Sequence, residues 1–467
     1  MLPLVENEPP PPENMEAAAT RVYHMLLLLR ANDKNIWPII AGRLPRFYRG
    51  PQRAINLGKV DMPAVLDTLA FLSVLNDNNR VALTASVTPS KTTLLVSEDG
   101  PGNSQLSEHI SNLWHMLREV KEAVDAGGAG CAEGIRRRVF RFLYNACFHH
   151  IATALRTHAK SFEYYTFVMQ SVDDIDQPEK HSHFLRDIAV ISNIVFDGSQ
   201  CRVSLDGGHL DRLIEICSTL REFMKERDLL PNWTRRFRSA KDKRMDFSVE
   251  KFVASVCKLH IYISYILLFA STRSRHGGVL VGPFEVTIVS ANAYRSGNVD
   301  ASVSELFPLL EYAVDPQERE ATLERLQNRL TTELPQLATQ GASFDGHTHC
   351  ECAVAVFVHN QSLEVSHIGI SSMPCYACSR FLLAYTGLVG HFTNTFDRLF
   401  DAEFDLPWAL PPPFQDRTCT TFKLDSDLTT LVWGTMSSLI FQHVAYMWSP
   451  KGSIELFHYK KLQAYRN

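Results

Sequence analysis

Residues 347–378 read HTHCECAVAVFVHNQSLEVSHIGISSMPCYAC. They contain His349-x-Glu351 and, after a short strand-like run, Pro374-Cys375-x-x-Cys378. One imidazole and two thiolates can hold a zinc ion on three sides and leave its fourth position to water. Cys375 and Cys378 stand at i and i+3, on one face of a helix. Pro374 just ahead of them favours a helix start, and a helix N-terminus lowers a thiol pKa towards the metal-binding thiolate. Zinc lowers the pKa of a bound water from about 15.7 to about 7. Glu351 lies two residues from the histidine and is not needed as a ligand. It can take the proton from that water and pass it on, a role that typically contributes ~10²–10⁴-fold. The spacing therefore predicts zinc-dependent hydrolysis, with His349, Cys375 and Cys378 as ligands and Glu351 as proton carrier.

A second zinc arrangement uses the same stretch. Cys350 and Cys352 with Cys375 and Cys378 form C-x-C…C-x-x-C, a closed structural site. On a helix Cys350 points away from its neighbours His349 and Glu351. Cys352 begins the apolar run 353–358 and reads as a small core residue. His347, His359 and His367 lack a glutamate at the required offset, and they read as surface groups or as supports behind the ligands.

The elements that must position these residues belong to a long chain. Its 467 residues are enough for two or three domains. A hydrophobic share of 45% and a charged share of 21% are those of an ordinary globular protein. A formal net charge of −4 leaves no global positive field, so any contact with nucleic acid must be a local patch. The ten cysteines are scattered apart from the cluster above, which suits a reducing compartment and a metal, not a disulfide scaffold. The start of the chain is Pro-rich and acidic, with none of the features of a secretory signal. The greasiest window, 261–270, is too short to span a bilayer. These features predict an intracellular protein, cytoplasmic or nuclear, with no membrane segment.

Residues 1–14 read as a disordered tail. Helices are expected at 16–31, at 64–75 after Pro63, at 106–126 ending on a glycine run, at 135–158, 182–195 and 210–226. Residues 81–87 and 92–96 alternate about Pro89-Ser90-Lys91 as a hairpin does. Residues 247–271 are apolar on all sides and predict one long buried helix. From 277 the texture changes. Strands are expected at 278–280 and 284–290, a charged helix at 317–330, then helix, strand and helix starting near 349, 365 and 375. An aromatic-rich segment at 391–413, a strand at 419–424 and a packing helix at 428–448 close the chain.

Other clusters carry weaker signals. Arg136, Arg137, Arg138 and Arg141 read as a solvated helix face, with a phosphate-facing patch as the alternative. His149, His150 and His158 read as partly buried histidines. Asp173, Asp174 and Asp176 lack the offsets of a calcium loop. The most basic window, 233–244, interleaves Trp233, Arg235, Arg236 and Arg238, as a groove for single-stranded nucleic acid would. A charged linker between domains is the simpler reading of it.

His349-Cys350-Glu351 and Pro374-Cys375-Tyr376-Ala377-Cys378 resemble the cytidine deaminase-like superfamily. With the His-Ile-Gly-Ile run before the second motif and Pro-Trp-Ala-Leu-Pro after it, the pattern is similar to a branch of fungal proteins of unassigned substrate and bacterial toxin-like deaminases. The resemblance covers roughly residues 277–420. Two departures stand out: Cys350 where alanine is commoner, and an apparent insertion at 392–406. The resemblance implies a three-layer α/β/α domain with a mixed sheet, the same three zinc ligands, and Glu351 as proton shuttle. The expected α/β organisation is thus a tail at 1–14, a large mainly helical region at 15–275 preceding a deaminase-like zinc domain at 277–420, and a C-terminal helix and tail at 421–467. The expected function is hydrolytic deamination of a cytosine- or adenine-type base in a nucleoside, nucleotide or single-stranded nucleic acid. The alternative is a non-catalytic interaction or nucleic-acid-binding protein with a structural zinc.

Overall fold

The alternating runs on either side of Pro89-Ser90-Lys91 form the middle of the principal sheet. The computed structural model describes residues 60–76, 79–99, 104–201, 207–240, 247–272, 279–291, 299–301, 303–312, 319–333, 342–344, 349–363 and 367–371, with single positions or short groups at 20–28, 317, 365, 378–385 and 432–441. The expected tail at 1–14, the segment 391–413 and the strand at 419–424 lie outside the described residues. In chain order come α1 (Met62–Leu72), β1 (Val81–Val87), β2 (Thr92–Glu98), α2 (Ser104–Asp125), α3 (Ala129–Cys147) and α4 (His149–Met169). Then follow α5 (Pro178–Cys201), α6 (Gly207–Lys225), α7 (Leu229–Ala240), α8 (Val249–Val256) and α9 (Lys258–Ser271). The last are β3 (Phe284–Ile288), β4 (Val299–Ala301), α10 (Val303–Glu311), α11 (Arg319–Glu333), β5 (Ala342–Phe344), α12 (Cys350–Asn360) and β6 (Gly369–Ile370).

The described chain is mostly helical, with one mixed four-stranded sheet in the order β3–β2–β1–β6 and a separate β4–β5 pair. β1 and β2 are antiparallel with Leu83 opposite Val96, β3 joins β2 in parallel, and β6 joins β1 antiparallel with Leu83 opposite Gly369. The sheet thus draws strands from both sides of the expected boundary near residue 277. The helices α2 to α9 are inserted between β2 and β3 and do not precede the sheet. The expected strand at 278–280 is a helical turn at 279–280, whose carbonyls are taken up elsewhere: Arg118 of α2 donates to Leu280 O at 3.0 Å and Val281 O at 2.9 Å.

α1 begins where Asp61 accepts from Ala64 N at 2.7 Å and Pro63 occupies the first turn. It lies along β1 and β6. The approach to β6 is so close that a Cβ on Gly369 would collide with the backbone of Leu66 and Asp67. Beside this contact the buried Asp67 accepts from His367 Nε2 at 3.0 Å, and Thr84 Oγ1 donates to His367 O at 2.6 Å. His367 is therefore interior, not a surface group. The last carbonyls of α1 are met by the helical insert: His109 Nε2 donates to Leu72 O at 2.9 Å, His150 Nε2 to Phe71 O at 3.3 Å, and the Cys147 thiol to Leu72 O at 3.3 Å.

Two expected helices are each two. The chain turns at Phe148 between α3 and α4, and at Cys257 between α8 and α9, which meet at 57°. Periodicity does not see the second break, because buried apolar residues continue across it, from Phe252, Val253 and Val256 of α8 into α9, which is buried nearly all round. Among the described residues no single helix is long and apolar enough to cross a membrane.

Two predictions follow from this packing. Gly369→Ala forces backbone apart from backbone, where no flexible side-chain tip can give way, and will cost about 3 kcal/mol in thermal or denaturant unfolding. Gly282→Ala is the control, since a Cβ there meets nothing within 4 Å. His260 accepts from Tyr144 OH through Nδ1 at 3.0 Å, and burial, with Arg221 adding, pushes its pKa from 6.5 down to about 4. On acidification the unfolded chain takes this proton first, so stability is full above about pH 6.5 and falls as pH drops towards 4. The melting temperature of His260→Asn, which keeps an acceptor for Tyr144, will fall less steeply over that window.

Candidate metal centre

The N-terminus of α12 is built by a residue far away in sequence. His349 is the N-cap, extended at φ −76° and ψ 157°, and its side chain makes no capping bond. Its carbonyl starts the helix by accepting from Ala353 N at 2.9 Å. The first orphan N–H, that of Cys350, goes instead to Asp99 Oδ1 at 2.6 Å, from the end of β2. The imidazole of His349 is left to turn its Nδ1 towards Cys378 Sγ, 3.4 Å away.

Cys378 belongs to a helical stretch that includes residues 381, 382, 384 and 385. Its described side chains, Cys378, Phe381, Leu382, Ala384 and Tyr385, are all buried. Tyr385 OH meets His359 Nδ1 at 3.0 Å near the C-terminal end of α12. Contacts at 349–378 and again at 359–385 make the two helices run side by side in the same direction. The α12 N-terminus lies at the site, where the aligned peptide dipoles favour anionic ligands. His359 is one of the supports of this arrangement.

His349, Glu351 and Cys378 each offer a donor atom within 4.8 Å of the others, and all three are buried. Glu351 is 3% exposed, and its Oε1 has no hydrogen-bond partner among the described residues. A nitrogen and a sulfur bound to one tetrahedral zinc stand about 3.6 Å apart, and the 3.4 Å between His349 Nδ1 and Cys378 Sγ fits this. No family model, curated protein or solved structure matches the chain. The donor set itself carries the reading. Imidazole and thiolate are the ligands zinc prefers, and a carboxylate buried with an open oxygen calls for a cation or a proton donor.

The other expected site residues divide clearly. Cys375 and its neighbours at 372–377 lie outside the described residues. Among the described residues, Cys378 groups with His349 and Glu351 and not with Cys350 and Cys352, which does not favour the closed four-cysteine site. The Cys350 thiol donates to Glu351 Oε2 at 3.3 Å, and burial, then the charges of Asp99 and Glu351, push its pKa well up. The contact corrects the expectation that Cys350 points away from Glu351. Asp99 had no place in the sequence reading. Burial first and Glu351 second raise its carboxyl to about 6, against the pull of His349, the Cys350 N–H and Arg80.

The basic window is a further correction. Trp233 and Phe237 lie one turn apart on the buried face of α7, and the Trp233 ring is 0% exposed. Trp233 Nε1 donates to Asp176 O at 2.8 Å, so this ring is not offered for stacking on bases. Arg235, Arg236 and Arg238 are exposed. Arg236 pairs with Asp174 at 2.9 Å and Arg235 bonds Asn232 at 3.0 Å. Interleaving of aromatic and basic residues here is the two-faced pattern of a helix. The arginines of α3 are likewise neutralised, Arg136 and Arg137 by Glu133, Arg138 by Glu119 and Arg141 by Asp211.

Asp99→Ala will lower stability by about 1–2 kcal/mol in denaturant unfolding, because the Cys350 N–H loses its acceptor in a buried place. Asp99→Asn keeps an acceptor without a buried charge and will unfold at or above the wild-type midpoint.

Proposed function

We propose that this protein is a zinc-dependent hydrolytic deaminase acting on a cytosine- or adenine-type base, free in a nucleoside or nucleotide or within a nucleic acid. The observation that carries the reading is the buried meeting of His349, Glu351 and Cys378 at the start of α12. His349 and Cys378 would hold the ion with Cys375 as third ligand. Zinc so held would supply a water that ionises near neutral pH. Glu351 would accept a proton from the attacking water at Oε1 and deliver it to the ring nitrogen, then carry a second proton from the added hydroxyl to the departing amine. Burial keeps bulk solvent from competing for that proton.

The packing supports the finer fold assignment, a three-layer α/β/α unit. Val81, Leu83, Leu94 and Val96 share one core with α1. Side chains alternate along a strand, so Ala82, Thr84, Leu95 and Ser97 face the other way. α12 packs on β1 and β2 as well, and the apolar residues of α12 form no part of the α1 core. Helices on both faces of a mixed sheet, with His349 and Glu351 at the start of α12, agree with the resemblance in His349-x-Glu351 and Pro374-Cys375-x-x-Cys378.

The test combines metal analysis with ammonia release over a panel of nucleosides, nucleotides and oligonucleotides. Wild type will carry zinc and release ammonia from at least one class. Glu351→Ala will retain zinc and lose ~10²–10⁴-fold in turnover, whereas Cys378→Ala will lose the metal. Equal turnover in wild type and Glu351→Ala, or a wild-type protein that binds no zinc, removes the reading.

A further inference from the structure

A carboxylate that shuttles a proton must present one particular oxygen to the reaction, and a glutamate has three torsions on which to turn away. In this chain Glu351 Oε2 is occupied. The Cys350 thiol donates to it at 3.3 Å, while Oε1 has no hydrogen-bond partner among the described residues. Cys350 is itself held, because its N–H is given to Asp99 Oδ1 at 2.6 Å. The side-chain donor atoms of Asp99, Cys350 and Glu351 all lie within 4.8 Å of one another. A strand end, a helix start and the carboxylate are thereby linked in a short series. A thiol is a weak hydrogen-bond donor, so it can orient a neighbouring carboxylate.

We propose that Cys350 is a positioning residue for Glu351, holding Oε2 so that Oε1 is the oxygen that carries the proton, with Asp99 fixing Cys350 from the end of β2. The inference rests on the deaminase reading. It gives a role to the residue that departs from the resemblance, since the alanine commoner at this position has no donor. The thiol touches neither the ion nor the substrate in this scheme; it acts through Glu351.

Three variants and two readouts test it. The S–H stretch falls in an infrared window free of other protein bands. Wild type will show a band lowered by hydrogen bonding that disappears in Cys350→Ala and moves back towards the free thiol position in Glu351→Ala. In ammonia release, Cys350→Ala will keep its zinc and its KM while kcat falls about 10–100-fold. Cys350→Ser, with an O–H in place of the S–H, will recover most of that loss. A Cys350 thiol at the unbonded frequency overturns the proposal, as does a kcat in Cys350→Ala equal to wild type, or a serine variant no better than alanine. A bonded thiol band in a wild-type protein that releases no ammonia from any substrate shows instead that the deaminase reading has failed, and the positioning role falls with it.

Discussion

The first backbone N–H of α12 has no acceptor in its own helix, and Asp99 provides one from the end of a strand 251 residues earlier in the chain. A charged acceptor at a helix start meets both the unsatisfied donor and the positive end of the peptide dipoles. The bond fixes where α12 begins relative to the sheet. Its consequence reaches the chemistry directly, because His349 and Glu351 are the residues on either side of the N–H that is held. The imidazole, released from capping its own helix, is free to face Cys378. The arrangement brings a cost, since the half-buried Asp99 and the buried Glu351 are two carboxylates close together. Such a cost is tolerated where a positive charge or a proton is to be placed between them.

The opposite side of the sheet sets the second coordinate. β6 is only two residues long, yet it leads into the segment that carries Cys378. Two hydrogen-bonded positions alone would hold such a strand poorly. It is held by α1 pressed against Gly369 and by the buried Asp67–His367–Thr84 network. Fully satisfied buried networks of this kind specify one arrangement, because a slip leaves polar groups unpaired in a place without water. α1 is in turn capped at its C-terminal end by His109, His150 and Cys147 of the inserted helices. The helical half thus contributes to the site without reaching it.

How much of this is legible in the sequence depends on the distance between partners. The hairpin at 81–98 is readable because alternation and turn chemistry are local. The meeting of His349, Glu351 and Cys378, a group that could hold a metal ion, is readable because metal binding imposes residue types and spacings. The pairing of Asp99 with Cys350 leaves no mark on either neighbourhood, and the same holds for Asp67 with His367. The thiol of Cys350 is visible only as a departure from a commoner residue. The window at 233–244 misleads for another reason. A ring every fourth residue among arginines looks alike whether the chain is an extended strand binder or an amphipathic helix, and only burial of Trp233 separates the two. The break at Cys257 is hidden because apolar residues on all sides erase the phase of the helix.

The insertion of α2 to α9 between β2 and β3 governs how the protein can be made. As the chain leaves the ribosome the hairpin emerges early, and its β1 edge has no partner until residues 369–370 arrive. Exposed strand edges are where chains join their neighbours wrongly. The inserted helices rest largely on contacts between near neighbours in sequence and can collapse in the meantime. Their early packing against α1 would keep the open hairpin beside a folded body. By the same logic, a shortened protein starting after the insert would contain His349, Glu351 and Cys378 but lack the two central strands of its own sheet.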